Sequence, residues 1–138
     1  MPEGIPYSSA NVVVGTGLEL NYIGDHCYAY SGGKGSTENE QTYLLFTTGN
    51  ATIVGELTVN GGVEFSGPTV GVTSAWKLQM NGIVVGLYKT DTIEEDQPPA
   101  IVVPIIIPPY TLVQVSAYTS DNNSDKLNSC SILGRLYK

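Results

Sequence analysis

The feature that most constrains the fold is a β-hairpin signal in residues 73–90. Its centre is Asn81-Gly82, a dipeptide that suits a two-residue type I′ turn because both central residues of that turn have positive φ. A reversal there pairs six large apolar residues on one face of the hairpin: Met80 with Ile83, Leu78 with Val85, and Trp76 with Leu87. A slip of one residue in the strand pairing would expose this apolar face to water. The turn and the hydrophobic pattern therefore predict the same register. We expect the six side chains to be buried together.

The rest of the chain also has the pattern of strands. Gly or Pro interrupts it roughly every 8–15 residues, and no useful window shows the 3.6-residue period of a helix. Eight or nine short strands at this spacing predict an all-β fold, a two-sheet antiparallel sandwich of jelly-roll type without significant helix. We expect residues 1–10 to form an extended N-terminal arm and residues 11–138 to form one sandwich domain.

Several strands have a predicted orientation. In residues 51–60 the alternation sends Ile53, Leu57 and Val59 inward, and Asn60-Gly61-Gly62 predicts a turn. In residues 111–119 the inward residues are Val113, Val115 and Ala117. Tyr43 is expected on the face of Leu45 and Thr47, opposite Leu44 and Phe46, and Tyr88 and Tyr137 are expected to point outward.

The last part of the chain carries three further expectations. Ala100–Ile107 is apolar on both faces, as in a covered strand, but Pro104 requires a bulge or an edge position. Residues 120–127 are predicted to be a polar loop. A final strand follows over residues 128–138, with Cys130, Ile132 and Leu136 on one side.

Charge composition limits the partners. Thirteen acidic and six basic residues give a net charge of −7, which argues against nucleic acid and against a polybasic membrane contact. No signal peptide and no run of about 20 apolar residues is evident. Only 14% of residues are charged, against about 25% in ordinary soluble domains. Such a surface suits faces committed to neighbouring subunits, although a polar monomer also fits.

The residues that could carry chemistry do not form a catalytic pattern, and we expect no enzyme activity, no catalytic residue, no cofactor and no metal. His26 is the single histidine, and a structural or surface role is favoured over a base or metal ligand. The acidic residues of residues 38–40 and 91–96 are expected to be solvated. Residues 121–125 (Asp-Asn-Asn-Ser-Asp) resemble the start of a calcium loop, but Lys126 occupies the position of its glycine.

Two residue types leave alternatives open. Cys27 and Cys130 are expected to be buried free thiols, since a disulfide would need an oxidising compartment. The nine tyrosines suit an interface, where they give large contact area at low entropic cost, or they reflect ordinary strand propensity.

Four stretches carry a resemblance to a known group, in this order along residues 22–138: Tyr28-Ala29-Tyr30-Ser31-Gly32, Leu78-Gln79-Met80-Asn81-Gly82-Ile83, residues 104–111 (Pro-Ile-Ile-Ile-Pro-Pro-Tyr-Thr) and Leu133-Gly134-Arg135-Leu136-Tyr137. The chain resembles the small jelly-roll structural proteins of tailed, especially marine, bacteriophages that decorate or cement the capsid. The resemblance implies a virion component, made in the host cytoplasm, that sits as a homotrimer on the major capsid protein. It transfers no binding residues.

Two alternatives remain open. The chain could be the receptor- or carbohydrate-binding head of a virion fibre or spike, which predicts an exposed aromatic cluster with polar partners at a loop end. A small hydrolase would require His26 beside an acid in a cleft.

Overall fold

The chain folds into two packed β-sheets, seen in a computed structural model that describes residues 20–64, 73–91, 100–120 and 123–138. These residues form ten strands and no helix. The strands are β1 (Asn21–Ile23), β2 (His26–Tyr30), β3 (Lys34–Ser36), β4 (Gln41–Thr47), β5 (Thr52–Glu64), β6 (Thr73–Met80), β7 (Ile83–Asp91), β8 (Ala100–Ile107), β9 (Leu112–Thr119) and β10 (Asn123–Tyr137). The predicted arm, residues 1–10, lies outside the described residues.

The strand order is that of a jelly roll. One sheet has the order β1-β2-β10-β5-β8, with β3 also paired to β10, and the other has the order β4-β9-β6-β7. Without the three-residue strands β1 and β3, eight strands remain, and the chain passes between the sheets as in two Greek keys. The predicted two-sheet antiparallel sandwich is confirmed, and β1 and β3 raise the strand number above the expected eight or nine.

The core lies between the sheets and is centred on an aromatic pair. The rings of Tyr43 and Trp76 are tilted by 54° with centroids 4.9 Å apart, a geometry that adds roughly 0.5–1.5 kcal/mol to the burial of the rings. The predicted inward residues of β5 and β9 are buried, as are Cys130 and Ile132 of β10. Leu136 packs partly buried against this core, as expected.

Buried polar groups connect the two sheets beside the aromatic pair. The hydroxyl of Ser74 donates to Oδ1 of Asn128 at 3.2 Å, and Nδ2 of Asn128 lies 3.4 Å from the Tyr43 hydroxyl. Within the four-stranded sheet, the indole Nε1 of Trp76 on β6 donates to Oγ1 of Thr90 on β7 at 3.2 Å. These bonds are needed because a buried polar group without a partner costs about 1–3 kcal/mol.

The central hairpin confirms the predicted turn and corrects the predicted face of β7. Asn81 and Gly82 have φ of 53° and 81°, and Met80 pairs with Ile83. Val85 then forms a bulge, so that Leu78 pairs with Gly86 and Trp76 with Tyr88. The bulge reverses which β7 side chains face the core. Trp76 and Leu78 are buried, but Val85 and Leu87 are exposed as a result of the bulge. Ile83 precedes the bulge and pairs with Met80 as predicted, yet it is also exposed next to the turn, so the predicted burial of all three β7 residues is wrong.

The same bulge explains why Tyr88 packs partly against the core instead of pointing outward. A second bulge, at Tyr43 in the pairing of β4 with β9, places Tyr43 in the core together with Leu44. The expectation that Tyr43 shares the face of Leu45 is therefore wrong. Tyr137 is exposed as predicted.

Two predicted connections are strand instead. β5 continues through Gly61 and Gly62 to Glu64, and β10 begins at Asn123 within the predicted polar loop. The two strands pair with each other along these extensions. Gly61 marks a close approach rather than a turn, because a Cβ there would lie 2.5 Å from Oγ1 of Thr90.

β8 has the predicted bounds and lies at the edge of its sheet, where the missing N–H of Pro104 is tolerated. It is not covered on both faces, however, because Val102 and Ile106 are exposed.

Candidate functional site

The predicted thiols are buried and free, as expected. Cys27 pairs with Gly134 in the β2–β10 ladder, which places it several residues along the strands from Cys130. Burial raises the pKa of each thiol to about 12, so both are neutral and poorly nucleophilic at ordinary pH.

His26 lies on the outer surface of the six-stranded sheet next to an acid. Its Nδ1 is 2.8 Å from Oδ1 of Asp25, and Oδ2 of Asp25 accepts a hydrogen bond from Arg135 at 3.1 Å. The His26 side chain is 61% exposed, so this pair stands on an open strand surface and not in a cleft. The structure thus brings His26 to an acid, and the described residues leave both side chains open to solvent, 61% and 55% exposed.

No group of three or more His, Cys, Asp or Glu side chains that could hold a metal ion occurs in the part of the chain that the structure describes. Of the predicted calcium stretch, residues 121–122 and the side chains of residues 123–125 lie outside that part, as do Glu94, Glu95 and Asp96.

Large apolar side chains cover the outer surface of the six-stranded sheet. We call this surface the apolar face; it comprises Tyr28, Tyr30, Val54, Val102, Ile106, Leu133 and Tyr137, all exposed. The register pairs Tyr28 with Leu133 and Val54 with Ile106. Between these two apolar pairs, Leu133 pairs with Glu56 and Val54 pairs with Arg135. Leu133 and Ile106 are each 64% exposed. The face also carries Glu56, His26 and Arg135.

A pocket of about 260 Å³ opens on the outer surface of the other, four-stranded sheet. Its middle is Ala75 of β6, which pairs with Tyr118 of β9 on one side and Lys89 of β7 on the other. The small side chain between larger neighbours leaves a depression. We call it the Ala75 pocket; its lining includes Glu40, Ala75, Lys77, Leu87, Ser116 and Tyr118.

A fixed ion pair forms the polar side of the Ala75 pocket. Oε2 of Glu40 accepts a hydrogen bond from the Ser116 hydroxyl at 2.6 Å and lies 3.0 Å from Nζ of Lys77. The hydrogen bond from Ser116 is the larger cause, and the contact with Lys77 the next, of a Glu40 carboxyl pKa below its usual range. The pair is partly exposed, with 47% of the Glu40 and 32% of the Lys77 side chain accessible.

Sequence reasoning missed this group because its members are distant in the chain. Glu40 directly precedes β4, and the pairing of Thr42 with Ser116 brings the start of β4 to the middle of β9. Lys77 reaches the same place because it pairs with Ser116 from β6. Only the strand order could have predicted the meeting of these three residues.

Comparison with known proteins assigns no family. No protein-family model matches the chain, and no curated protein matches its sequence. Over 80% of its length the chain is similar to part of dimeric latent PorU from Porphyromonas gingivalis, with 11% identity, a TM-score of 0.44 and 12% of that chain covered. The same share is similar to a structure of infectious bursal disease virus Gx strain, with 12% identity, a TM-score of 0.40 and 29% of that chain covered.

The chain thus spans less than a third of either of these structures. At such identities and TM-scores the similarities bear on neither family nor function. Among the described residues, none belongs to a helix that is long and apolar enough to span a membrane.

Proposed function

We propose that the chain is a structural protein of a virion, a capsid decoration or cement protein that binds the capsid lattice as an oligomer and is not an enzyme. The apolar face is the observation that carries the proposal. Several large apolar side chains exposed on one face of a sheet are characteristic of interaction surfaces in soluble proteins. The sequence resemblance to phage decoration proteins supports the virion part, and jelly rolls recur in viral capsids, which is an analogy of fold alone.

The composition of the apolar face suits contact with protein. Its three tyrosines offer large and rigid contact area, and the aliphatic Leu133 pairs with one of them, Tyr28. Contact with a phosphate backbone or an anionic membrane is disfavoured by the net charge of −7. The occupant that we propose is another copy of this chain in a closed trimer, the assembly that the sequence resemblance implies. In such a ring the apolar face of each subunit contacts a different patch of the next subunit, and the same contact repeats three times.

Attachment to the lattice is assigned in this proposal to residues 1–10, outside the described residues. Each contact between subunits is expected to bury on the order of 1,200–2,000 Å² in total.

Sedimentation equilibrium of the full chain tests the oligomer. The wild type should have the mass of a trimer, and Leu133→Glu on the apolar face should shift it to the monomer because a buried unpaired carboxylate is strongly unfavourable. The matched control is Ile83→Glu, an equally exposed residue on the other sheet, which should leave the mass unchanged. A wild type that stays monomeric at high concentration would contradict the proposal.

Co-sedimentation with the native particle tests the attachment. Deletion of residues 1–10 should leave the circular dichroism spectrum and melting temperature of the sandwich unchanged and should abolish binding to the particle. Retained binding after the deletion would refute the role of these residues.

A further inference from the structure

We propose that the Ala75 pocket is a binding site for a neutral saccharide ring. This binding role goes beyond the proposed structural role. The two roles are independent because the pocket and the apolar face lie on opposite sheets.

The size of the pocket limits the ligand. Sites for drug-sized molecules usually measure about 300–1,000 Å³, and the Ala75 pocket, at about 260 Å³, lies just below that range. It therefore suits one ring-sized group. Ala75 lines the pocket beside Tyr118, so a larger side chain at residue 75 should occupy part of this volume.

The charges of the pocket favour a ligand without net charge. Glu40 and Lys77 neutralise each other at 3.0 Å, so an anion would meet the carboxylate and a cation would meet the ammonium. Hydrogen-bonding capacity nevertheless remains. The ammonium of Lys77 has three donors, and the contacts of Glu40 with Ser116 and Lys77 both involve Oε2, which leaves Oε1 outside these two bonds.

A ligand for this site must both donate to a carboxylate oxygen and accept from an ammonium a few ångströms away. Adjacent hydroxyl groups of a saccharide do both, because each hydroxyl is a donor and an acceptor. The pocket walls complete the match. Tyr118 and Leu87 are 52% and 73% exposed and offer apolar surface to the C–H face of a sugar ring, while the polar pair fixes its orientation.

The pocket can be tested by recording amide NMR spectra of the ¹⁵N-labelled full chain with methyl glucoside, methyl galactoside, methyl mannoside and N-acetylglucosamine as separate probes. At least one neutral sugar should shift the amide signals of Ala75, Lys77 and Tyr118, with millimolar affinity. N-acetylneuraminic acid, which is anionic, should bind more weakly than that sugar.

Two substitutions should each weaken binding by about tenfold or more: Tyr118→Ala, which removes the apolar wall, and Glu40→Gln, which keeps the shape of the side chain but removes the charge. The control is Tyr110→Asn, which removes a tyrosine that is 72% exposed in the β8–β9 turn. Asparagine tolerates the φ of 55° found there, so affinity should not change.

Three results would overturn the proposal: no signal shifts with any neutral sugar, shifts that map away from the pocket, or unchanged affinity in Tyr118→Ala. A fourth is binding of tetraalanine at the pocket when none of the sugars binds, since this would identify a peptide site. None of these results would alter the mass measured for the oligomer, so failure here is distinguishable from failure of the assembly proposal.

Discussion

Replacement of Trp76 by alanine should be among the most damaging single changes in this protein. The side chain is 1% exposed and packs on Tyr43 with ring centroids 4.9 Å apart. Truncation of a buried tryptophan typically costs about 3–5 kcal/mol through lost burial and the cavity that remains. Because domains of this kind are stable by only about 5–15 kcal/mol, Trp76→Ala should lose a large share of the total.

Part of this cost belongs to the bond from Nε1 of Trp76 to Oγ1 of Thr90. Trp76→Phe keeps an aromatic ring in the core but removes the donor and part of the indole. It leaves a buried hydroxyl with one partner fewer, at about 1–3 kcal/mol, in addition to the cost of the lost ring atoms. In the double variant Trp76→Phe/Thr90→Val both partners are apolar. The two single effects should therefore exceed the double effect by about 1 kcal/mol or more, because removal of both partners can be nearly neutral.

Urea denaturation gives these free energies of unfolding. Trp76 is the single tryptophan, so far-UV circular dichroism must replace tryptophan fluorescence as the signal. The slope of the unfolding free energy against urea should stay constant if the variants change stability alone. The reasoning would be refuted by a loss below about 1 kcal/mol in Trp76→Ala, or by single effects that simply add in the double variant.

Three further outcomes are expected. Gly61→Ala should destabilise by about 1–3 kcal/mol in urea, because the added methyl meets two buried hydroxyls; Gly49→Ala, where the methyl meets open space, should not. The pKa of about 12 for Cys27 and Cys130 means that the folded state favours the neutral thiol. The free energy of unfolding should therefore be at its full value below about pH 9 and fall as the pH rises toward 12, with a smaller fall in Cys27→Ala. A free energy of unfolding that does not change over this range would refute the reasoning. The lowered pKa of Glu40 predicts a pH dependence of the opposite sign. The difference in unfolding free energy between wild type and Glu40→Gln should be present above the usual carboxyl pKa and shrink as the pH falls below it. A difference that persists in acid would contradict this prediction.

Local patterns predicted the parts of the fold that depend on neighbours in sequence. Asn81-Gly82 predicted the reversal because its positive φ values are an intrinsic preference of those residues. The alternation of Val113, Val115 and Ala117 predicted the buried face of β9 because a strand has a period of two.

The features that were not predicted depend on residues far apart in sequence. The bulge at Val85 and the one at Tyr43 each add a residue to one strand of a pair, and alternation within a strand gives no sign of it. Gly61 has the composition of a turn, but contact with β6 and β7 determines its role. The group of Glu40, Lys77 and Ser116 required the strand order of the sheet, which no local pattern contains.

The bulge in β7 also bears on edge-to-edge pairing between copies of the chain. β7 is an edge strand whose exposed side chains include Ile83, Val85 and Leu87, and a flat edge of this composition is a template on which another chain can extend the sheet without limit. The additional residue at Val85 increases the local twist and interrupts the even spacing of N–H and C=O groups that such growth requires. A variant that lacks Val85 is therefore expected to be more prone to edge-to-edge pairing and fibrillar aggregation.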